Sequence, residues 1–471
     1  MRKLIRNMNF MAVLFVLITA LVLFGLVWQQ QRSHRDLQAR VGVPRTQMAQ
    51  RFTNAGSIFT MDGEELATSQ TGSREYSADV ALSKATLHIV GVYSGVMRNT
   101  IEVAYEDVLL GQTRSSLDQI LLDVTGKGLR GDDIILTIDS ELSKKALSLL
   151  GDRKGAIVVL NYRTGDVLAA VSTPTLTPEE ALRFRDVPES SLFNRVLNSQ
   201  YAPGSSFKLL TATAWLDSPL FNEDLNLVCE GNVPLSLNGA VERSADDAHG
   251  ELGLKRALQV SCNVFFGELG VKMGYYRLLK TAESFGYGQT ITLDRLRVAK
   301  SKFSLPNGSI DRGLLSWLSI GQPAGESHNE LSALQMALQV GGLANGGKIM
   351  EPHIIRYFHN PLGTIYGEPE RRVLSVATSG SIADQVANLA ASTITHGTGQ
   401  SAGVASHTVC GKTGTVQVAG QAKTNAIFTG FLAEDSTPFA LAVVVEDVGT
   451  GAEYAAPLAR RLFMHMLGLE Y

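Results

Sequence analysis

The sequence predicts an α+β protein whose sheet is covered by helices, and three observations predict it. Strand-like runs stand at both ends of the main part of the chain: Gly155 to Asn161 and Asp166 to Ser172 on one side, Thr413 to Val418, Ile427 to Leu432 and Phe439 to Val445 on the other. Between them, Phe207 to Phe285 follows a mostly helical pattern. The runs Ile157-Val158-Val159-Leu160 and Val167-Leu168-Ala169-Ala170-Val171 are apolar on both faces, as central strands of a covered sheet are. Strands from both ends with helices between them form one layered structure.

Composition narrows the class. At 471 residues there is room for more than one domain. Hydrophobic content of 45% and charged content of 18% fit a globular protein with a large core. The net charge of −3 gives no sign of a nucleic-acid partner. Cys229, Cys262 and Cys410 are too few and too scattered for a disulfide framework or a metal cage, and the histidines do not cluster at ligand spacing. No metal or other cofactor is expected.

Taken in order, residues 1–9 are short and basic and read as a cytoplasmic N-terminus. Phe10 to Trp28 carries no charge, and a helix of that length at ~1.5 Å per residue spans roughly 28 Å, close to a bilayer's hydrocarbon thickness. It lacks the short apolar core and small-residue cleavage site of a removed signal peptide. Residues 10–28 therefore read as a transmembrane signal-anchor with Trp28 at the interface, even though Arg32, Arg35, Arg40 and Arg45 follow it.

Residues 29–130 read as a stalk or pedestal with short β-like runs. Ser57 to Thr60 and Glu65 to Ala67 flank Asp62-Gly63, a hairpin signal, and another apolar run covers Leu87 to Tyr93. Gly126 to Gly131 satisfies G-x-G-x-x-G, yet it precedes a strand beginning near Asp133 instead of opening a helix, so it reads as a hinge. Residues 131–471 form the main domain. After its first strand, Ser140 stands near a helix N-cap, a hairpin turns at Arg163-Thr164-Gly165, and a last helix covers about Tyr454 to Leu467.

The chemistry concentrates in three fragments. Tyr201 to Leu216 opens with Pro203-Gly204 and continues as a helix that is apolar nearly all round. Ser205 falls in its first turn and Lys208 three residues on, so the hydroxyl and the amine share a face. A lysine at the rim of a buried helix is easily neutralised, and a helix N-terminus favours developing negative charge. Together these describe an activated serine nucleophile, against the blander reading of an N-cap serine and a snorkelling lysine. Ser261-Cys262-Asn263 joins two helical stretches and offers a hydroxyl and a carboxamide on a connection, where a helix cap is the rival reading. Lys412-Thr413-Gly414-Thr415 heads an alternating strand. Its glycine permits close approach of another backbone, and its lysine and hydroxyls suit a substrate carboxylate.

The three fragments, in this order and at separations of about 55 and 150 residues, match the signature of penicillin-recognising serine acyltransferases. The chain resembles a class B penicillin-binding protein, a membrane-anchored peptidoglycan D,D-transpeptidase of the short-pedestal type. The resemblance runs from about Asp132 to Leu467. It includes Gly155 to Leu160, Asn194-Arg195, Tyr201 to Lys208, Leu343 to Gly347 and Gly411 to Thr415. The pedestal matches faintly at Gly56, Ile58, Gly63, Leu66 and Ala67, and Ile427-Phe428 stands where the family often has Trp-Phe.

The resemblance implies the transpeptidase fold shared with serine β-lactamases, an antiparallel sheet covered by helices behind a small β-rich pedestal and one transmembrane helix. It implies that Ser205 attacks the carbonyl between the two terminal D-alanines of a stem peptide and that Lys208 takes its proton. Ser261 would relay a proton to the leaving D-alanine, and Asn263 would orient Lys208 and the substrate amide. Lys412, Thr413 and Thr415 would hold the substrate carboxylate beside Gly414, with the N–H groups of Ser205 and Thr415 as oxyanion hole. β-Lactams would acylate Ser205. The implied partners are peptidoglycan stem peptides, the membrane and a polytopic glycan polymerase, with the catalytic domain on the outer side of the bacterial cytoplasmic membrane. A D,D-carboxypeptidase, a serine β-lactamase and a non-enzymatic sensor or division scaffold are the rival readings. Intact motifs speak against the scaffold, and the class A deacylation segment Glu-x-x-Leu-Asn is not evident.

Overall fold

The computed structural model describes residues 10–19 and 49–469, apart from Lys127, Leu129, Asn222, Leu237, Arg243, residues 307–310 and Ala419. The chain divides into two units, Met1–Arg51 and Phe52–Tyr471. In the first, residues 10–19 are helical with exposed side chains. The remainder of the expected span, including Trp28, and the basic residues 1–9 lie outside the described residues. Among the described residues no helix is long and apolar enough to cross a membrane.

The second unit contains β1 (Ile58–Phe59), β2 (Glu65–Thr68), β3 (Glu75–Tyr76), α1 (Val80–Val90), β4 (Asp133–Leu136), α2 (Ser140–Leu150), β5 (Gly155–Asn161), β6 (Val167–Thr173), α3 (Lys208–Leu216), α4 (Leu254–Val260) and α5 (Asn263–Met273). It continues with α6 (Ala333–Ala344), β7 (Ile355–His359), β8 (Ile365–Tyr366), α7 (Gly380–His396), β9 (Val409–Val416), β10 (Asn425–Leu432), β11 (Phe439–Val445) and α8 (Ala456–Met466). Shorter helices and two-stranded ladders lie between these elements.

The central sheet runs β9-β10-β11-β5-β6, antiparallel throughout. Its strands are apolar at consecutive positions because both faces are covered. Ile157, Val159, Val171 and Val443 pack with Leu142, Leu150, Leu462 and Phe463 of α2 and α8. The alternate residues Val158, Leu160, Ala170 and Val444 join Leu334 and Leu338 of α6 and Leu209 and Leu210 of α3 in the larger cluster. Side chains that alternate across a strand thereby enter two separate cores. β9, which carries the Lys-Thr-Gly-Thr stretch, is an edge strand of this sheet.

A second, mixed sheet runs β8-β7-β4-β1-β2-β3, with β1 and β4 parallel and the other pairs antiparallel. The hairpin at Asp62-Gly63 forms as expected. Leu87 to Tyr93 departs from its β-like reading, since most of it belongs to α1. Asp79 caps that helix by accepting the N–H groups of Ala81 and Leu82, a signal that outweighs the β-branched residues at its far end. Asp139 caps α2, and Ser140 is its first residue. The glycine-rich Gly126–Gly131 stretch precedes β4, and its Lys127 and Leu129 lie outside the described residues.

The serine turn is built by close backbone contacts. Gly204–Phe207 forms a 3₁₀ turn, and the α-helix begins only at Lys208. The Gly204 N–H donates to the Gly321 carbonyl at 2.9 Å. Gly321 sits at φ +76°, where a Cβ would stand 2.1 Å from the Gly204 carbonyl oxygen. Only glycine meets both demands. On the other side, a Cβ at Gly414 would lie 2.6 Å from the Pro203 carbonyl oxygen, so the strand glycine admits the serine turn itself. Gly321→Ala is expected to lower the free energy of unfolding by more than about 1–2 kcal/mol, the cost of left-handed backbone alone. Chemical denaturation checks this; an unchanged midpoint would mean that the turn relaxes without strain.

Candidate active site

Lys208 is fully buried, directly after the turn that carries Ser205. Its ammonium donates to the Ser261 carbonyl, to Asn263 Oδ1 at 2.8 Å and to Ser261 Oγ at 3.3 Å. Burial lowers its pKa to about 8, against the opposing pull of Glu242 and Cys262. The expected partners of this amine are Ser205, from spacing, and Asn263, from the resemblance; the second contact is present. Among the described residues Ser205 Oγ makes no hydrogen bond, and Lys208 is instead held by the Ser261–Asn263 turn. Catalytic hydrogen bonds are commonly long without substrate and tighten in its complex.

That turn links α4 to α5 with Ser261 in left-handed backbone at φ +60°. Cys262, not Ser261 or Asn263, caps α5, its sulfur accepting the Phe265 N–H at 3.3 Å. The Asn263 amide is fixed from behind: Nδ2 donates to the Val241 carbonyl at 3.0 Å, which leaves Oδ1 facing Lys208. The Asn263 backbone N–H donates to Glu242 at 2.6 Å.

Lys412 on β9 is also fully buried. Its ammonium donates to Ser261 Oγ at 2.9 Å, to Thr398 Oγ1 and the Thr413 carbonyl at 3.2 Å, and to Thr413 Oγ1 at 3.5 Å. Burial first, and then the charge of Lys208, press its pKa well below the usual lysine value. The Ser261 hydroxyl thus lies between two lysines. It accepts from both and keeps its own hydrogen for a third partner. Thr413 Oγ1 meets Thr398 Oγ1 at 2.8 Å, and Thr415 Oγ1 accepts the Gly451 N–H at 3.1 Å.

Ser205, Ser261, Asn263, Thr413 and Thr415 all line one cleft of about 330 Å³. Lys208 and Lys412 lie beneath its wall, each reaching it through Ser261 Oγ. The site therefore brings together the serines, lysines, asparagine and threonines singled out from the sequence, with Gly414 packed against the serine turn. It adds Thr398, Gln322, Glu242, His249 and Thr450, which sequence reasoning missed. Thr398 had a faint local signal, a threonine between Gly397 and Gly399. A larger cavity of about 530 Å³ beside Trp215, Phe221 and Arg256 touches only the far end of the first fragment and holds none of the candidate catalytic or carboxylate-binding residues.

Two further buried interactions hold the approach to the turn. Glu446 accepts from Arg195 at 2.9 Å and from the Tyr201 hydroxyl at 2.8 Å. Tyr201 also exchanges backbone hydrogen bonds with Leu331. The scattered cysteines are not scattered in space. Cys229, Cys262, Glu242 and His249 present donor atoms within 4.8 Å of one another, so the expectation from linear spacing alone does not carry over to the fold. Cys410 is buried in β9 and has no part in that group.

Residues 155–464 match the penicillin-binding protein transpeptidase domain. The peptidoglycan D,D-transpeptidase PbpA of Mycolicibacterium smegmatis is 28% identical over 88% of this chain and 90% of its own length. The transpeptidase MrdA of Acinetobacter baumannii is 26% identical over 78% of this chain and 60% of its own. Among solved structures, penicillin-binding protein A of Mycobacterium tuberculosis as its ceftriaxone acyl-enzyme superimposes with a TM-score of 0.78. It is 26% identical, and the match covers 88% of this chain and 99% of that one. The transpeptidase domain from Eggerthella lenta gives 0.74 at 28% identity, over 88% and 99% of the two chains. With its sheet, its three motifs in one cleft and the family's domain across most of its length, this chain belongs to the class B penicillin-binding proteins.

Proposed function

We propose that the protein is a peptidoglycan D,D-transpeptidase working through an acyl-enzyme on Ser205. The observation that carries this reading is the convergence of two buried lysines on Ser261 Oγ beneath the cleft that Ser205 lines. The mycobacterial relatives bear the name D,D-transpeptidase, and the M. tuberculosis neighbour is captured as a β-lactam acyl-enzyme.

In this reading Ser205 Oγ attacks the carbonyl of the penultimate D-alanine while neutral Lys208 takes its proton. The oxyanion forms against the N–H groups of Ser205 and Thr415, where one donor is typically worth about 3 kcal/mol. Collapse breaks the C–N bond, and the leaving D-alanine amine takes a proton delivered through Ser261. Lys412, Thr413 and Thr415 hold the substrate's terminal carboxylate, with Thr398 buttressing Thr413. An amine of a second stem peptide then attacks the ester, restores the Ser205 hydroxyl and closes a crosslink. A β-lactam places its ring carbonyl at the same point and acylates Ser205. The uncharged stretch Phe10–Trp28 supports anchorage in the cytoplasmic membrane with this domain outside, beside a polytopic glycan polymerase that supplies strands.

Fluorescent penicillin is expected to label membranes containing the wild-type chain and not Ser205→Ala; equal labelling would remove Ser205 as nucleophile. Incubated with polymerised glycan, the protein should yield crosslinked dimers. Free D-alanine without dimers would mark a carboxypeptidase, and no stimulation by any co-purified polymerase would remove that partner.

Lys208→Arg stays protonated at all working pH values. Its acylation rate should fall by roughly 10²–10⁴-fold, the usual contribution of a positioned base. In the wild type the neutral fraction of Lys208 grows as pH rises towards and past about 8. Stopped-flow acylation should therefore accelerate with pH through that value and level off above it. A flat profile would assign the proton to another group.

A further inference from the structure

We propose that the cavity of about 530 Å³ between α3, α4 and α7 is the subsite that holds the sugar backbone of the acceptor strand during crosslinking. This rests on the transpeptidase reading and extends it to the second substrate.

In that reading two amines use one position in turn. The amine of D-alanine leaves as the acyl-enzyme forms, and the acceptor amine enters where it stood, because the second half-reaction is the first run backwards with a different amine. As the new C–N bond forms and the ester C–O bond breaks, the amine gives up one proton and Ser205 Oγ regains one. The departing D-alanine keeps its carboxylate at Lys412, Thr413 and Thr415. The acceptor strand therefore runs out of the cleft past that wall, which Thr398 and Val260 continue.

Two helices carry this wall to the cavity. At one end they meet: the Thr398 N–H, two residues beyond α7, donates to the Gln259 carbonyl of α4 at 3.0 Å, and Val260 and Thr398 both line the cleft. Nearer their other ends, Lys255 and Arg256 of α4 and Gln385 and Asn388 of α7 line the cavity. Lys255 to Val260 is about 8 Å along the helix axis, a distance that an extended peptide covers in two or three residues, at roughly 3.3–3.6 Å each. A stem whose amine lies at Ser205 thus brings its sugar backbone to the cavity.

The lining suits a sugar polymer with acidic stems. Phe221 is 39% exposed and packs edge-on with Trp215, 6.3 Å between ring centroids. Such a rim aromatic offers apolar surface to the C–H groups of a sugar ring. Gln385 and Asn388 supply carboxamides, each both donor and acceptor, for hydroxyl and amide groups. Lys255 and Arg256, set against Glu223, leave a positive excess for a stem carboxylate. The cavity is larger than the cleft itself, at about 530 against 330 Å³, and has the size of sites that enclose a small ligand.

The test compares two acceptors on the full chain in detergent, with polymerised, stem-bearing glycan as donor throughout. A second glycan strand can reach the cavity; labelled free D-alanine has no strand and cannot. Phe221→Ala and Arg256→Glu should each cut dimer formation by roughly tenfold, the loss of one well-placed contact. Exchange of labelled D-alanine into stems, and labelling by fluorescent penicillin, should persist in both. Asn388→Ala, exposed on α7, replaces either variant that fails to fold by circular dichroism. Wild-type dimer yields in the variants overturn the proposal. So does an equal loss of dimers and exchange, which would place the damage in the cleft. A wild type that releases D-alanine and forms no dimers removes the transpeptidase reading, and the acceptor subsite with it.

Discussion

Two ammonium groups buried side by side constrain everything around the cleft. Taking a charged lysine out of water is costly, and a second like charge nearby adds to the cost. The fold answers with oxygen acceptors: the Ser261 carbonyl and hydroxyl, Asn263 Oδ1, Thr398 and Thr413. These acceptors come from three separate segments: the turn between α4 and α5, the loop after α7, and the edge strand β9. The turn must be in place before Lys208 can be accommodated, and all three segments before Lys412 can. The burial that makes the pair expensive is also what lowers the pKa of Lys208 to about 8 and leaves it able to give up its proton.

Backbone proximity supplies the second constraint. The serine turn is clasped between Gly321 and Gly414, at distances that no side chain would permit. Its approach is secured by Glu446, which receives Tyr201 and Arg195 together. The nucleophile is thus set by rigid neighbours on both sides, consistent with a site whose reacting atoms must be held within fractions of an ångström.

Much of this was legible in the sequence because it is written locally. The strands of the central sheet lie within a few residues of where apolar runs place them, since strands covered on both faces need no alternation to be seen. The three motifs carry their chemistry in adjacent residues. What was not legible depends on approach in space. Leu87 to Tyr93 is apolar in a way that suits either helix or strand, and a single capping aspartate upstream decides. Local spacing pairs Lys208 with the residue one turn away, and only the resemblance brings in Asn263; the packing of α5 delivers Asn263 to it, and Ser261 as well. Glu242 and His249 carry no local signal at all; they matter through the company that folding gives them.

The order of strands in the central sheet also governs how the molecule comes together. β11, the last strand made, is its middle strand, between β10 and β5. Until residue 445 has emerged, the hairpin β5–β6 and the pair β9–β10 each expose an unsatisfied ladder of N–H and C=O groups. The nascent chain therefore holds the open edge of β5 through most of its synthesis, joined only near residue 432 by that of β10, and unpaired strands invite association with other chains. Insertion of β11 seals both at once, which makes completion of this enzyme an abrupt, late event.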